Sequence, residues 1–144
     1  MKRMSNTGWA RSAAVVAALA GTATSIALGA EGSSAQAATH RITVTSHQIQ
    51  HRIVNGVDVA TDRDLHNGAV VGYDVTSCRV NPQTHLAACD VALALAGGIL
   101  YAHAKINVVT GRGTGTVTGG TRRFHDATGS VTVAMPHITI RWSK

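Results

Sequence analysis

The chain has 144 residues, of which 14% are charged and only 3% aromatic, and its formal charge is +6 with histidine neutral. Proteins that bind single-stranded nucleic acid interleave basic residues with stacking aromatics, and so thin an aromatic set argues against that class. Two cysteines with no C-x-x-C motif argue equally against a thiolate metal centre or a dithiol redox site.

The first element in chain order is a signal peptide over residues 1–37. Lys2, Arg3 and Arg11 form a positive start, and residues 12–30 carry no charge and are rich in Ala, Val and Leu. Ala35-Gln36-Ala37 is a small-x-small cleavage site, which puts the mature start near Ala38. An uncleaved membrane anchor is the competing reading, but Ala, Gly, Thr and Ser make the run only weakly apolar. Nothing after Ala38 could span a bilayer as a helix, so the mature protein is expected outside the cell. Cleavage leaves ten basic and six acidic residues, a net of +4, and four aromatics: Tyr73, Tyr101, Phe124 and Trp142. About 107 residues remain, enough for one domain with a modest core, over residues 38–144.

The mature sequence reads as strands almost throughout. Arg41 to Gln48 alternates, with Ile42 and Val44 on one face and Arg41, Thr43, Thr45 and His47 on the other. Ile49 to Val59 is less regular. Asp62 to Leu65 leads into Asn67-Gly68, a strong hairpin signal that returns the chain along Ala69 to Cys78. If Gln83-Thr84 centres the next hairpin, Val80 faces Ala87 and Cys78 lies opposite Cys89, within bridging reach. An even cysteine count in an exported chain favours that disulfide. Closing a loop of about 12 residues should stabilise the fold by about 3 kcal/mol.

Gly97-Gly98 then reads as a two-residue turn that pairs Ala96 with Ile99. That register sets Asp90 against Lys105 as an ion pair, with Tyr101 and His103 on the same face. The opposite face is purely aliphatic, through Val91, Leu93, Leu95 and Leu100. Thr116, Val117 and Thr118 form a further short strand, ended by Gly119-Gly120 and a loop carrying Phe124, the chain's single phenylalanine. Ser130 to Met135 and His137 to Trp142 close the sequence as two strands joined through Pro136. Seven or eight antiparallel strands with short turns and no helix imply a sandwich or a barrel.

Gly119-Gly120-Thr121-Arg122-Arg123-Phe124-His125-Asp126-Ala127-Thr128-Gly129 resembles the G-G-T-G-x-F-x-x-A-x-G signature of allene-oxide-cyclase-like and dirigent-like barrels, including their secreted bacterial members. The matching residues are Gly119, Gly120, Thr121, Phe124, Ala127 and Gly129. Arg122 replaces the usual third glycine, and Thr128 stands where dirigent proteins often carry arginine. Asp62 to Gly68, Gly72, Cys78, Cys89 and Gly97-Gly98 fall in the order seen in the bacterial group, so the resemblance covers about Ala60 to Val133. It implies an all-β, eight-stranded antiparallel barrel around a mostly apolar cavity. Plant members cyclise an allene oxide or steer phenoxy-radical coupling, and some bacterial relatives catalyse cyclisations in polyketide assembly.

The chemistry so implied is confinement, in which an apolar cavity folds a substrate into one productive conformer. It needs no metal, nucleotide or other cofactor. The partner expected is a hydrophobic small molecule, not nucleic acid, and a homo-oligomer, dimer or trimer, stays open. A non-enzymatic ligand-binding or structural module is the alternative to an isomerase or cyclase.

Candidate pocket residues are Asp62, Tyr73, Tyr101 and His103. Tyr73 falls across from Asp62 if Asn67-Gly68 sets the register, and this pair is the preferred polar cluster. Asp62 and Asp64 share a face and could pair at the rim, although acids beside a hairpin turn are commonly solvated. Tyr101 and His103 line the pocket only if their face points inward, and the aliphatic opposite face favours outward. Trp142 reads as a core plug. His47 and His51, four apart on a strand, stand about 13 Å from each other and cannot chelate.

Overall fold

Alternation of apolar and polar side chains gives each segment one face for a core and one for water, and eight such segments bury their apolar faces by closing on themselves. The computed structural model describes residues 37–144. Apart from Ala37, the expected signal peptide lies outside the described residues. These residues fall within one compact unit, Ala35–Lys144. Its strands are β1 (His40–Val54), β2 (Val57–His66), β3 (Ala69–Asn81), β4 (Leu86–Leu95), β5 (Gly98–Asn107), β6 (Arg112–Gly120), β7 (Thr128–Ala134) and β8 (His137–Ser143). Each pairs antiparallel with the next and β8 pairs with β1, so the sheet is the expected closed eight-stranded barrel with no free edge.

The disulfide hairpin has the expected register. Cys78 pairs with Cys89 and Val80 with Ala87, and the two sulfurs are bonded. The turn between them is longer than two residues, spanning Pro82 to His85. Asn81 Oδ1 accepts from the backbone N–H groups of Gln83 and Thr84 at 2.9 and 3.2 Å, and His85 takes a positive φ to leave the turn. The irregular segment Ile49 to Val59 is itself a hairpin. Its turn is Asn55-Gly56, both at positive φ, and β1 runs on to Val54 past a bulge at Ile49.

Two expected registers are corrected. Around Gly97-Gly98 the turn residues are Ala96-Gly97, and Gly98 already pairs with Leu95. The shift keeps both faces but slides the partners, so Asp90 meets His103 rather than Lys105 and contacts its ring nitrogen. The cause lies in the neighbouring loop: a Cβ on Gly98 would stand 2.3 Å from the Thr121 carbonyl oxygen. That glycine serves close approach as well as a positive φ of 145°.

The second correction is at Val71, which bulges out of the β2–β3 ladder. Leu65 pairs with Val70, and Asp64 with Gly72. Asp62 therefore faces Asp74, and Tyr73 faces Arg63. A one-residue slip exchanges the sheet's two faces, which is why the exchange of Tyr73 for Asp74 is complete.

One end of the barrel is plugged. Phe124, Ala127 and Trp142 are buried there with Val117 and Leu100, and the Phe124 and Trp142 rings meet edge-on at 5.7 Å. Trp142 is the core residue it was expected to be. The loop that carries Phe124 is a 3-10 turn, Arg122–Phe124, pinned to the β4–β5 turn. Thr121 N–H donates to the Ile99 carbonyl at 2.7 Å, Ile99 N–H donates to Thr121 Oγ1 at 3.0 Å, and Arg123 N–H reaches Gly97 O at 3.2 Å. Opposite the plug, exposed Ile53 near the end of β1 and Val108, Val109 and Met135 in the turns mark the other end.

Candidate functional site

Inside the barrel lies a cavity of about 310 Å³. One water needs only about 10–15 Å³ of such space, so this is far beyond a packing defect. The side chains of β4, β5, β7 and β8 that face it are almost all aliphatic: Val91, Leu93, Leu100, Ala102, Val131 and Ile140 form most of the wall. Small residues keep it open, since Ala87, Ala102 and Ala104 stand where longer side chains would fill the lumen. The Cys78–Cys89 bridge also faces inward.

Polarity enters from one side. β2 turns Asp58, Ala60, Asp62 and Asp64 to the lumen, and β3 adds Asp74 and Thr76. Asp64 is 0% exposed, Asp74 2% and Asp62 7%. Asp62 is held by Ser46 of β1, whose hydroxyl donates to Asp62 Oδ2 at 2.7 Å. Asp62 Oδ1, both oxygens of Asp64 and Asp74 Oδ1 have no donor from another residue type. Nearer the open end, His51 Nε2 stands 2.8 Å from Asp58 Oδ1.

Burial without a cation makes the charged form of these acids costly. Desolvation raises the Asp64 pKa to about 6, with the Asp62 charge adding to it and a hydrogen bond with Asp74 opposing it. Desolvation raises Asp74 further, to about 7, helped by the charges of Asp64 and Asp62 and by its own hydrogen bond to Asp64. Two carboxylates can share a hydrogen bond only through a proton, and burial favours keeping one between Asp74 and Asp64. Asp64 and Asp74 titrate as a coupled pair near neutrality, the range in which a carboxyl works as general acid or base.

Of the residues expected in the pocket, Asp62 is on the lumen, and Asp64 joins it there fully buried rather than solvated at a rim. Tyr73, 51% exposed, and Tyr101, 40% exposed, are on the outer surface, as is His103, which pairs with Asp90. The structure does not bring them to the cavity. For Tyr73 the cause is the Val71 bulge, and for Tyr101 and His103 it is the inward claim of Leu100, Ala102 and Ala104. Sequence reasoning missed Asp74. The signal that could have found it is an aspartate within an otherwise apolar strand, Val70 to Val75, where a solvated acid is out of place.

Among the described residues no cluster of three or more His, Cys, Asp or Glu side chains could hold a metal ion. No helix there is long and apolar enough to cross a membrane. No protein-family model matches the chain, and no curated protein sequence matches it. Among solved structures, the chain is similar to pyocyanin demethylase, with a TM-score of 0.59 and 23% identity over 72% of this chain and 98% of that one. That likeness carries the barrel fold: an all-β, closed, eight-stranded antiparallel barrel.

Proposed function

We propose that this chain is an exported barrel that takes one hydrophobic small molecule into its lumen and guides its cyclisation or isomerisation by confinement, as the resemblance to allene-oxide-cyclase-like and dirigent-like barrels implies. The observation that carries the reading is the lumen itself, an apolar space of about 310 Å³ with three buried aspartates on one side. Pocket sites of this kind combine a greasy wall with a few convergent polar groups. Pyocyanin demethylase, by its name, converts a small molecule, which supports the same use of the barrel. The Cys78–Cys89 bridge supports an oxidising compartment and so the secretion expected from residues 1–37.

In this reading the wall holds the substrate in one conformer and the acids move protons. Asp74 gives its proton to one substrate atom, Asp64 or Asp62 takes one from another, and the isomerisation balances without a co-reactant. Native mass spectrometry of protein purified from its source culture tests the reading. A retained apolar ligand is expected, and protein that is empty in every preparation speaks against it. With that ligand in hand, Asp74→Asn separates enzyme from carrier. Loss of turnover by about a hundredfold or more with retained binding is expected of a general acid, and unchanged turnover removes Asp74 from the chemistry.

A further inference from the structure

Six aspartates follow residue 37, and four of them, Asp58, Asp62, Asp64 and Asp74, line the lumen. None of the ten lysines and arginines of that region does. The asymmetry is sharpest at the plugged end. Asp62, Asp64 and Asp74 are each more than nine-tenths buried in the cavity wall, and four of their oxygens are sealed there with no donor other than a shared proton. Structural carboxylates at such depth are paired with a cation or saturated by N–H donors. Here one hydroxyl, from Ser46, serves the whole group.

The other groups that face the cluster are few. β1 contributes the Ser46 hydroxyl, bonded to Asp62, and the Gln48 side chain, and β3 contributes Thr76. Towards the mouth stand Asp58 and its neighbour His51. β4, β5, β7 and β8 present no titratable side chain to the lumen, their bridged Cys89 included. A metal ion does not answer the negative charge, because the acids do not converge as a coordination set.

We infer that the lumen is a site for an amphiphilic organic cation, a hydrophobic skeleton bearing one protonated or quaternary nitrogen, whose positive end docks against Asp62, Asp64 and Asp74. This rests on the pocket reading above and names the chemistry of its occupant. Val44, Leu93, Leu100, Ala102, Val131 and Ile140 cover the skeleton, and the free carboxylate oxygens receive the nitrogen. An arriving cation takes over the role of the proton on the cluster, so binding expels that proton to solvent. By linkage, a proton on the cluster weakens the cation to the same degree.

Three probes that share a skeleton, naphthylmethylammonium, naphthylmethanol and naphthoate, test the inference by isothermal titration of the mature protein. At about pH 8 the ammonium should bind at least about tenfold tighter than the alcohol, with naphthoate weakest. At about pH 5 that preference should shrink. Near neutral pH, titration in two buffers of different ionisation enthalpy should show protons released by the ammonium and none by the alcohol. Asp64→Asn should bring the ammonium down to the alcohol's affinity, and Asp62→Asn, which keeps the Ser46 contact partner, serves if the first variant does not fold. Equal binding of ammonium and alcohol overturns the cation site and leaves the apolar pocket standing. Binding by none of the three overturns both.

Discussion

Acids that are buried without a cation give a protein a pH profile opposite to that of salt-bridged acids. Asp64 and Asp74 have pKa values raised to about 6 and about 7 from 3.8, so between about pH 4 and pH 7 the folded state binds more protons than the unfolded chain. Stability then falls as pH rises through that window and is recovered as pH falls. Urea unfolding should show the barrel more stable at about pH 5 than at about pH 8, by more than about 1 kcal/mol. Asp74→Asn should flatten the difference, and a wild-type profile that rises with pH would contradict the assignment. A second residue stores strain of a different kind. Arg122 sits at φ +52 in the loop that carries Phe124, a backbone conformation that favours glycine. Arg122→Gly should hold or raise stability, by up to about 1 kcal/mol, in the same assay. At this scale the sequence was half legible. Alternation put Asp62 and Asp64 on one face. It could not put Asp74 beside them, because that takes the Val71 bulge, whose one sequence mark is the isolated glycine next to it, Gly72.

Elements are where local rules worked best. The Cys78–Cys89 bridge followed from a turn position and a count of two, since cross-strand geometry leaves little freedom once the turn is known. The Cys78→Ala, Cys89→Ala double variant should lose about 3 kcal/mol, and a loss under about 1 kcal/mol would mean that the reduced chain already holds this hairpin closed. The Phe124 loop has a larger stake. Its ring fills the barrel's end against Trp142 and Ala127, so Phe124→Ala should cost about 3–5 kcal/mol and expose Trp142, seen as a red-shifted emission. Gly97-Gly98 misled for an instructive reason. Two glycines in a row signal a turn, but one of them makes room for the Thr121 carbonyl of a loop more than twenty residues away. Tertiary contact, absent from any local pattern, set that register. Asn55-Gly56 carried the same signal as Asn67-Gly68, and the polar, irregular run around it hid the hairpin because β1 bulges at Ile49.

For the whole molecule, strand alternation and short turns were enough to reach an all-β fold, and the glycine-rich signature selected the closed form over the sandwich. What strand order could not reveal is that the closed sheet encloses space. That depends on inward alanines at 87, 102 and 104, side by side on β4 and β5, being too short to reach the far wall of the lumen. The barrel also segregates its charge, with most aspartates of the described region inside and the arginines and lysines off the lumen wall. The enclosed space carries the central claim, that the lumen is a binding site for a single guest with an apolar skeleton. Fluorescence titration with N-phenylnaphthylamine, a neutral apolar dye, tests it most directly when wild type is compared with an Ala104→Phe variant of unchanged melting temperature. Saturable one-to-one binding by wild type and its loss in the filled variant are expected. Binding that is absent in the folded wild type, or that survives filling of the lumen, would contradict the claim.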